Sequence, residues 1–399
     1  MFFVNSEFWM MAFLAYLLLL IKLPLRLSFK FGLINTGILT VLLGWKTIVV
    51  ALSLAFFLWS ILAIALYFRN QKKVAISISA GVSSLLLVSL IFIFYKLNME
   101  NNDTIAGLIK IMPWAPAKLV FPVLASLSFS YVFLRCIDLC RSVVWGGAKL
   151  LDPVSLFGYI TPFHMLAAGP INFYEQHVQA DEKPSTARPR FGQLLSVANE
   201  ITTGLFYKFV LAEGIKIYVW GMDGTVQINS WLDTGFFFVY LFFDFAGYSK
   251  VALGLGRLYG VRTPENFSSP FLSCSMTEFW TRWHMSLGIF IRNNVFFPLQ
   301  VQLVRRMGIK RSFLANVLTL MVSFGMVGLW HRLTWEFLVW GLANGVVLAI
   351  EKVVRDKYLQ DPVNQNRIFK AGTRVLGPAY VFIIYTTTAY FVKDGIFMV

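Results

Sequence analysis

The chain has 399 residues, 57% of them hydrophobic and 14% charged, with a mean hydropathy of +0.67. A soluble domain carries roughly 25% charged residues, so this composition excludes a water-soluble globule. Lys+Arg number 35 against Asp+Glu 20, a formal net charge of +15; the bases sit in short loops between apolar runs, which points to lipid phosphates and away from nucleic acid. Three cysteines, Cys136, Cys140 and Cys274, make neither a disulfide framework nor a zinc pattern, and no metal site is expected.

In chain order, the apolar runs predict an all-α polytopic membrane protein. A span takes about 20 residues, and candidates fall near 8–21, 33–46, 47–68, 74–95, 118–136, 154–173, 194–220, 232–256, 284–303, 313–331, 334–352 and 374–392. About ten or eleven of these are read as membrane segments, some short, re-entrant or interfacial. Phe8 to Ile21 lacks a basic leader and a small-residue cleavage site, so it reads as a retained helix. Lys22, Arg26 and Lys30 follow it, and Arg69, Lys72 and Lys73 follow the uncharged run from Thr47 to Phe68. Basic loops of this kind lie on the cytoplasmic side.

Pro153 to Pro170 carries Pro153, Pro162, Gly169 and Pro170, which interrupt a helix. It is the re-entrant candidate, because broken backbone at membrane depth lines a cavity. Two polar stretches, Glu175 to Arg190 and Asp356 to Arg374, read as loops. The layout divides one membrane domain into peripheral N-terminal helices (1–150), a core (151–350), and a loop with a last helix (351–399).

Ionisable residues inside apolar segments usually face a bundle interior or a wet cavity, and they concentrate between Leu241 and Gly345. His331 ends a long uncharged run. Its imidazole is suited to general-base work near neutral pH; the alternative is a buried ring that only hydrogen-bonds a neighbouring helix. His284, after Arg282 and Trp283, reads either as an interfacial histidine at a helix start or as a partner to His331. Asp244, among Phe242, Phe243 and Phe245, must find a donor or take a proton. Arg282 and Arg292 suit a phosphate, a carboxylate or a lipid headgroup. Trp280, Trp283, Trp330, Trp335 and Trp340 are of the type that packs or anchors at an interface. His164 reads as structural or cavity-lining, and His177 as a solvated loop residue.

Several blocks stand in one order: Phe-Asp-Phe-Ala-Gly-Tyr-Ser (243–249), Pro-Glu-Asn-Phe (264–267), Glu-Phe-Trp-Thr-Arg-Trp-His-Met-Ser-Leu (278–287) and Gly-Leu-Trp-His (328–331). Ala-Gly-Pro-Ile (168–171) and the start, Phe-Phe-Val-Asn-Ser (2–6), join them. Together they resemble the membrane-bound O-acyltransferase family, in its bacterial branch of alginate O-acetylation and teichoic-acid D-alanyl transfer proteins. The resemblance is dense from about 155 to 350. It implies a helical bundle around a central tunnel, with His331 at the catalytic position and His284 at a position that is Asn or His in relatives. Asp244, Asn266, Trp280, Arg282, Trp283, Ser286, Arg292, Trp330, Trp335 and His164 are taken with them as candidate substrate- or tunnel-lining residues. The chain departs from the family pattern at Arg332, at Arg292-Asn293, at Asn344-Gly345 and at Phe173.

The resemblance implies transfer of a small acyl group, acetyl first, from a cytoplasmic thioester to a hydroxyl of an extracytoplasmic polysaccharide. Coenzyme A or a phosphopantetheinyl carrier protein would be the donor, with no permanently bound cofactor. The bilayer, the cytoplasmic carrier and an extracytoplasmic esterase-like protein are the implied partners, and the bacterial cytoplasmic (inner) membrane is the implied location. D-Alanyl transfer to teichoic acid is the second reading. A transporter or channel with a proton relay through Asp244, Glu336 and the histidines is a third, and a non-catalytic scaffold a fourth.

Overall fold

The computed structural model of the protein describes residues 5–99, 115–181, 191–222, 226–356 and 367–393. Phe2, Phe3 and Val4 of the N-terminal motif lie outside them, as do 182–190 and 357–366 of the two polar stretches. Every regular element among the described residues is helical. Two compact units are present, Met1–Thr203 with Ser249–Pro264, and Gly204–Tyr248 with Glu265–Val399.

In the first unit, α1 (Ser6–Leu20) opens on Asn5, whose side chain accepts the Glu7 amide at 2.9 Å. Helix α2 (Leu27–Leu43) stops at Gly44, where φ is +85°. Helices α3 (Trp45–Asn70) and α4 (Val74–Met99) are apolar all round. Phe56, Phe57 and Ile64 face outward from α3 while Leu58, Leu62 and Ala65 are buried, the pattern a lipid surface permits and water does not. The expected run at 118–136 forms two helices, α5 (Ala115–Ser126) and α6 (Phe129–Val144), parted at Ser128 with φ +48°.

The re-entrant candidate is broken as expected, but Pro153 does not break it. Pro153 opens α7 (Pro153–Ile160), where its missing N–H costs nothing, and Asp152 caps the helix by accepting the Val154 and Ser155 amides. A single 3-10 turn at Phe163–Met165 and irregular chain follow. Their backbone groups are satisfied from neighbouring helices. The fully buried Arg135 of α6 donates to the carbonyls of Ile160, Met165 and Pro170 and to Asn172 Oδ1. Asn35 of α2 donates to the Thr161 carbonyl and accepts the Phe163 amide. Glu175 to Arg190 is not a loop throughout, since its start belongs to α8 (Tyr174–Asp181).

Helix α9 (Phe191–Phe206) continues through a π-helical stretch, Tyr207–Ala212, into α10 (Glu213–Trp220). The long α11 (Trp231–Tyr259) follows. In the second unit, α12 (Met276–Arg282) and α13 (Met285–Ile291) lead through π-helical Arg292–Phe296 into α14 (Phe297–Met307). Helices α15 (Ser312–His331), α16 (Trp335–Val354) and α17 (Arg367–Tyr390) complete it. The last helix starts at Arg367, inside the stretch to Arg374 expected to be a loop. Phe238, Met276, Phe279, Trp283, Leu348, Val381 and Tyr385 form this unit's aromatic core, with the rings of Phe238 and Tyr385 stacked at 3.7 Å.

Five helices among the described residues are long and apolar enough to cross a bilayer: Trp45–Asn70, Val74–Leu97, Trp231–Tyr259, Ile309–His331 and Trp335–Val354. The apolar Ser6–Leu20 and Leu27–Leu43 are shorter. The chain is therefore a multi-pass helical membrane protein.

Candidate active site

The site is built in the second unit from the junction of α12 with α13 and from the end of α15. Ser275 accepts the Glu278 amide at 3.1 Å, and Glu278 reaches back to the Cys274 amide at 2.7 Å. This Ser-x-x-Glu pattern starts α12. The helix lasts seven residues and ends as Trp283 turns into extended backbone. His284 then takes φ +45° and ψ +52°, the left-handed region. Few non-glycine residues occupy it, and histidine and asparagine are among those enriched there.

Asn266 holds that conformation from outside the helix. Its carbonyl accepts the Met285 amide at 2.9 Å, and its Oδ1 accepts the Ser286 hydroxyl at 2.6 Å. The Ser268 amide donates to the Arg282 carbonyl one turn earlier. Asn266 and Ser286 are both buried, so the latch works without competition from water.

His331 is the last residue of α15, half-buried, and the Arg332 amide closes the helix on the Gly328 carbonyl at 3.1 Å. Small residues bring α15 and α16 into backbone contact. A Cβ on Gly328 would overlap the Phe337 carbonyl oxygen, and one on Gly341 would overlap that of Phe324. This approach places Trp340 and Phe337 beside His331, with ring centroids 5.8 and 6.4 Å from the imidazole.

Trp330 is the common neighbour of the two histidines. Its ring lies 4.8 Å from that of His331 and 6.4 Å from that of His284. Phe245 meets His284 edge-on at 4.8 Å. Trp280 stands 6.1 Å from Trp340. The structure thus gathers His284, His331, Trp330 and Trp280 of the expected residues, with Asn266 and Ser286 acting behind His284.

The remaining candidates have other surroundings. Trp283 packs in the aromatic core of the unit. Arg282 pairs with Glu278 at 2.6 Å. Arg292 is exposed in the π-helical stretch, and Trp335, at the first position of α16, is 77% exposed. Asp244 is half-buried and paired with Lys208. His164 belongs to the first unit, where it is fully buried; its Nε2 lies 3.3 Å from the Thr263 hydroxyl and its ring is edge-on to Phe31 and Tyr259. His177, expected in solvent, is 8% exposed against Tyr159. It lies on α8 rather than in a loop, so its ring packs inward.

In the second unit, Lys208 and Glu351 escaped the sequence reading. Lys208 is buried and neutralises Asp244; the signal was a lone lysine within Phe-Tyr-Lys-Phe-Val, which has to find a counter-charge. Glu351, near the end of α16, accepts the amides of Met276 and Thr277. It looked like an ordinary helix-end charge because its partners are 74 and 75 residues away.

Two imidazoles walled by aromatic rings can take up and deliver a proton while excluding bulk water, which suits a reaction that hydrolysis would waste. The family model described as MBOAT, membrane-bound O-acyltransferase, matches residues 139–384. "Teichoic acid D-alanyltransferase" of Bacillus subtilis is 29% identical over 232 residues, 57% of this chain and 59% of that protein. "Probable alginate O-acetylase AlgI" of Azotobacter vinelandii is 27% identical over 271 residues, 66% of this chain and 51% of that protein. "Peptidoglycan O-acetyltransferase" of Helicobacter pylori is 27% identical over 198 residues, 49% of this chain and 36% of that protein.

The matches span about six-tenths or less of the length of these curated relatives. Their names give the transporter reading no support. Because the matched segment covers more than half of the sequence and contains both histidines, the chain belongs to the membrane-bound O-acyltransferase family.

Proposed function

We propose that the protein transfers a small acyl group, acetyl in the first instance, from a cytoplasmic thioester to a hydroxyl of an extracytoplasmic polysaccharide. Residues 151–350 form its catalytic core in the bacterial cytoplasmic membrane. The observation that carries this reading is that His331, at the end of α15, and His284 both lie against the ring of Trp330.

In the reaction, a ring nitrogen of His331 takes the proton of the acceptor hydroxyl as its oxygen bonds to the thioester carbonyl carbon. The carbonyl electron pair moves to its oxygen, and His284 donates a hydrogen bond to that oxyanion. Collapse of the intermediate re-forms the carbonyl and breaks the C–S bond. The thiolate leaves and receives the proton from His331. Thiol and ester are the products, so no redox partner is required. Coenzyme A or a phosphopantetheinyl carrier supplies the thioester through a tunnel open to both sides. Asp244, Arg282, Trp283, Arg292 and Trp335 are its further proposed lining; where the acceptor hydroxyl is that of an outer esterase-like protein, that protein passes the acyl group on to the polysaccharide in a second transfer of the same kind.

D-Alanyl transfer is the second reading, favoured by the D-alanyltransferase of Bacillus subtilis among the relatives. The test uses the full chain in lipid nanodiscs with acetyl-coenzyme A, acetyl-carrier and D-alanyl-carrier. Free thiol and acylated acceptor are measured together. Stoichiometric thiol release with acetyl donors supports the first reading, release with D-alanyl-carrier alone the second, and release from none of them rejects both.

A further inference from the structure

The carboxylate of Glu351 sits among four donors: the Met276 amide at 2.6 Å, the Thr277 amide at 2.7 Å, the Thr277 hydroxyl at 2.6 Å and the Tyr380 hydroxyl at 3.1 Å. Two backbone amides and two hydroxyls on one carboxylate make a charge-assisted cluster, roughly twice as strong per bond as neutral pairs. Met276 and Thr277 are the first two residues of α12. Ser275 already accepts the Glu278 amide, so α12 has a cap of its own. The Glu351 contact is therefore an attachment between helices and not a requirement for starting this one.

The attachment has a direction. Helix α12 runs from the Glu351 anchor to Trp280 and ends two residues before His284. Helix α16 runs from Phe337 and Trp340, packed on His331, down to Glu351. It is locked to α15, the helix that ends in His331, by the close approach at Gly328 and Gly341. One rigid helix thus holds the His331 wall at one end and the root of the His284 segment at the other.

We infer that Glu351 is a positioning residue, fixing His284 relative to His331 by anchoring the start of α12 to α16. This rests on the proposed acyl transfer only for its kinetic consequence. Glu351→Gln keeps the shape but offers one acceptor oxygen and sets an NH2 group against backbone donors. Helix α12 then swings on its remaining contacts, and the left-handed turn at His284 loses its fixed approach. Displacement of about 1 Å in an active site costs up to about a hundredfold in rate.

The chain's four histidines make the test internal, two in each unit: His164 and His177, His284 and His331. The full chain and its Glu351→Gln variant, in nanodiscs, are treated with diethyl pyrocarbonate, and modification of each histidine is read by peptide mass spectrometry. His284, 5% exposed at the start, is expected to react several-fold faster in the variant, with His164 and His177 unchanged. In the donor assay, kcat is expected to fall about tenfold or more with KM within about twofold, as for loss of geometry made only in the transition state.

Equal His284 labelling in both proteins would overturn the inference, and so would a parallel rise at all four histidines, which marks general loosening. Labelling needs no turnover, so a wild-type protein inactive with every donor would reject acyl transfer while leaving positioning decided. Should the Gln variant fail to accumulate, Thr277→Val, which removes one hydroxyl from the cluster, takes its place with a smaller rise at His284 expected and none contradicting the idea.

Discussion

His284 carries a constraint that its side-chain chemistry does not require. The left-handed region costs an ordinary L-residue roughly 1–2 kcal/mol. Asn266 enforces it with one backbone and one side-chain acceptor. A residue here has to tolerate positive φ and also offer a polar group, which explains in physical terms why the family resemblance expects Asn or His. His284→Asn is predicted to fold with a thermal midpoint close to wild type and to retain measurable thioester transfer. His284→Val, β-branched at positive φ, should lose about 2 kcal/mol of stability. Unfolding in detergent, followed by the fluorescence of the nearby tryptophans, distinguishes the two. His331 was legible as an ionisable residue ending an apolar run, whereas His284 by itself read as an interfacial histidine and became a candidate through the family resemblance. The latch was not, because a bond between residues 266 and 286 leaves no trace in local pattern.

Helices α15 and α16 show how a site is made from spacing. Their glycines were visible as small residues in apolar runs, the composition of packed membrane helices. Which glycine opposes which carbonyl depends on register and was invisible. Gly328→Ala would drive a methyl group into the Phe337 carbonyl. The backbones have to separate, at a cost of about 1–3 kcal/mol, and Phe337 and Trp340 move off His331. Lower thermal stability together with lost transfer is expected. Gly37→Ala in α2, where an added Cβ meets nothing within 4 Å, should be neutral in both measurements. Equal behaviour of the two variants would argue against the close approach.

Across the whole molecule, hydropathy located the five helices among the described residues that are long and apolar enough to cross a bilayer, because apolar runs of membrane length have few alternative structures in lipid; the other expected runs form shorter or divided helices. It placed ends poorly where polar side chains act at a distance. Pro153 opens a helix because Asp152 caps it, and the irregular chain after α7 survives because Arg135 and Asn35 satisfy its carbonyls and amides. A fully buried arginine reads in sequence like any helix-end base. Arg135→Met keeps volume but strands three carbonyls and Asn172. Hydrogen bonds to a charged group are each worth about 1.5–3 kcal/mol, so loss of at least about 3 kcal/mol is expected, seen as proteolysis within residues 160–172 under conditions where the wild type resists.

One imidazole, that of His331, carries the proposed transfer. Single-turnover release of thiol from an acyl thioester should be compared for the wild type and His331→Ala in the same nanodiscs, with thermal unfolding followed in parallel. A fall of about a thousandfold with an unchanged unfolding midpoint is the predicted result; a folded His331→Ala protein releasing thiol at the wild-type rate would contradict it.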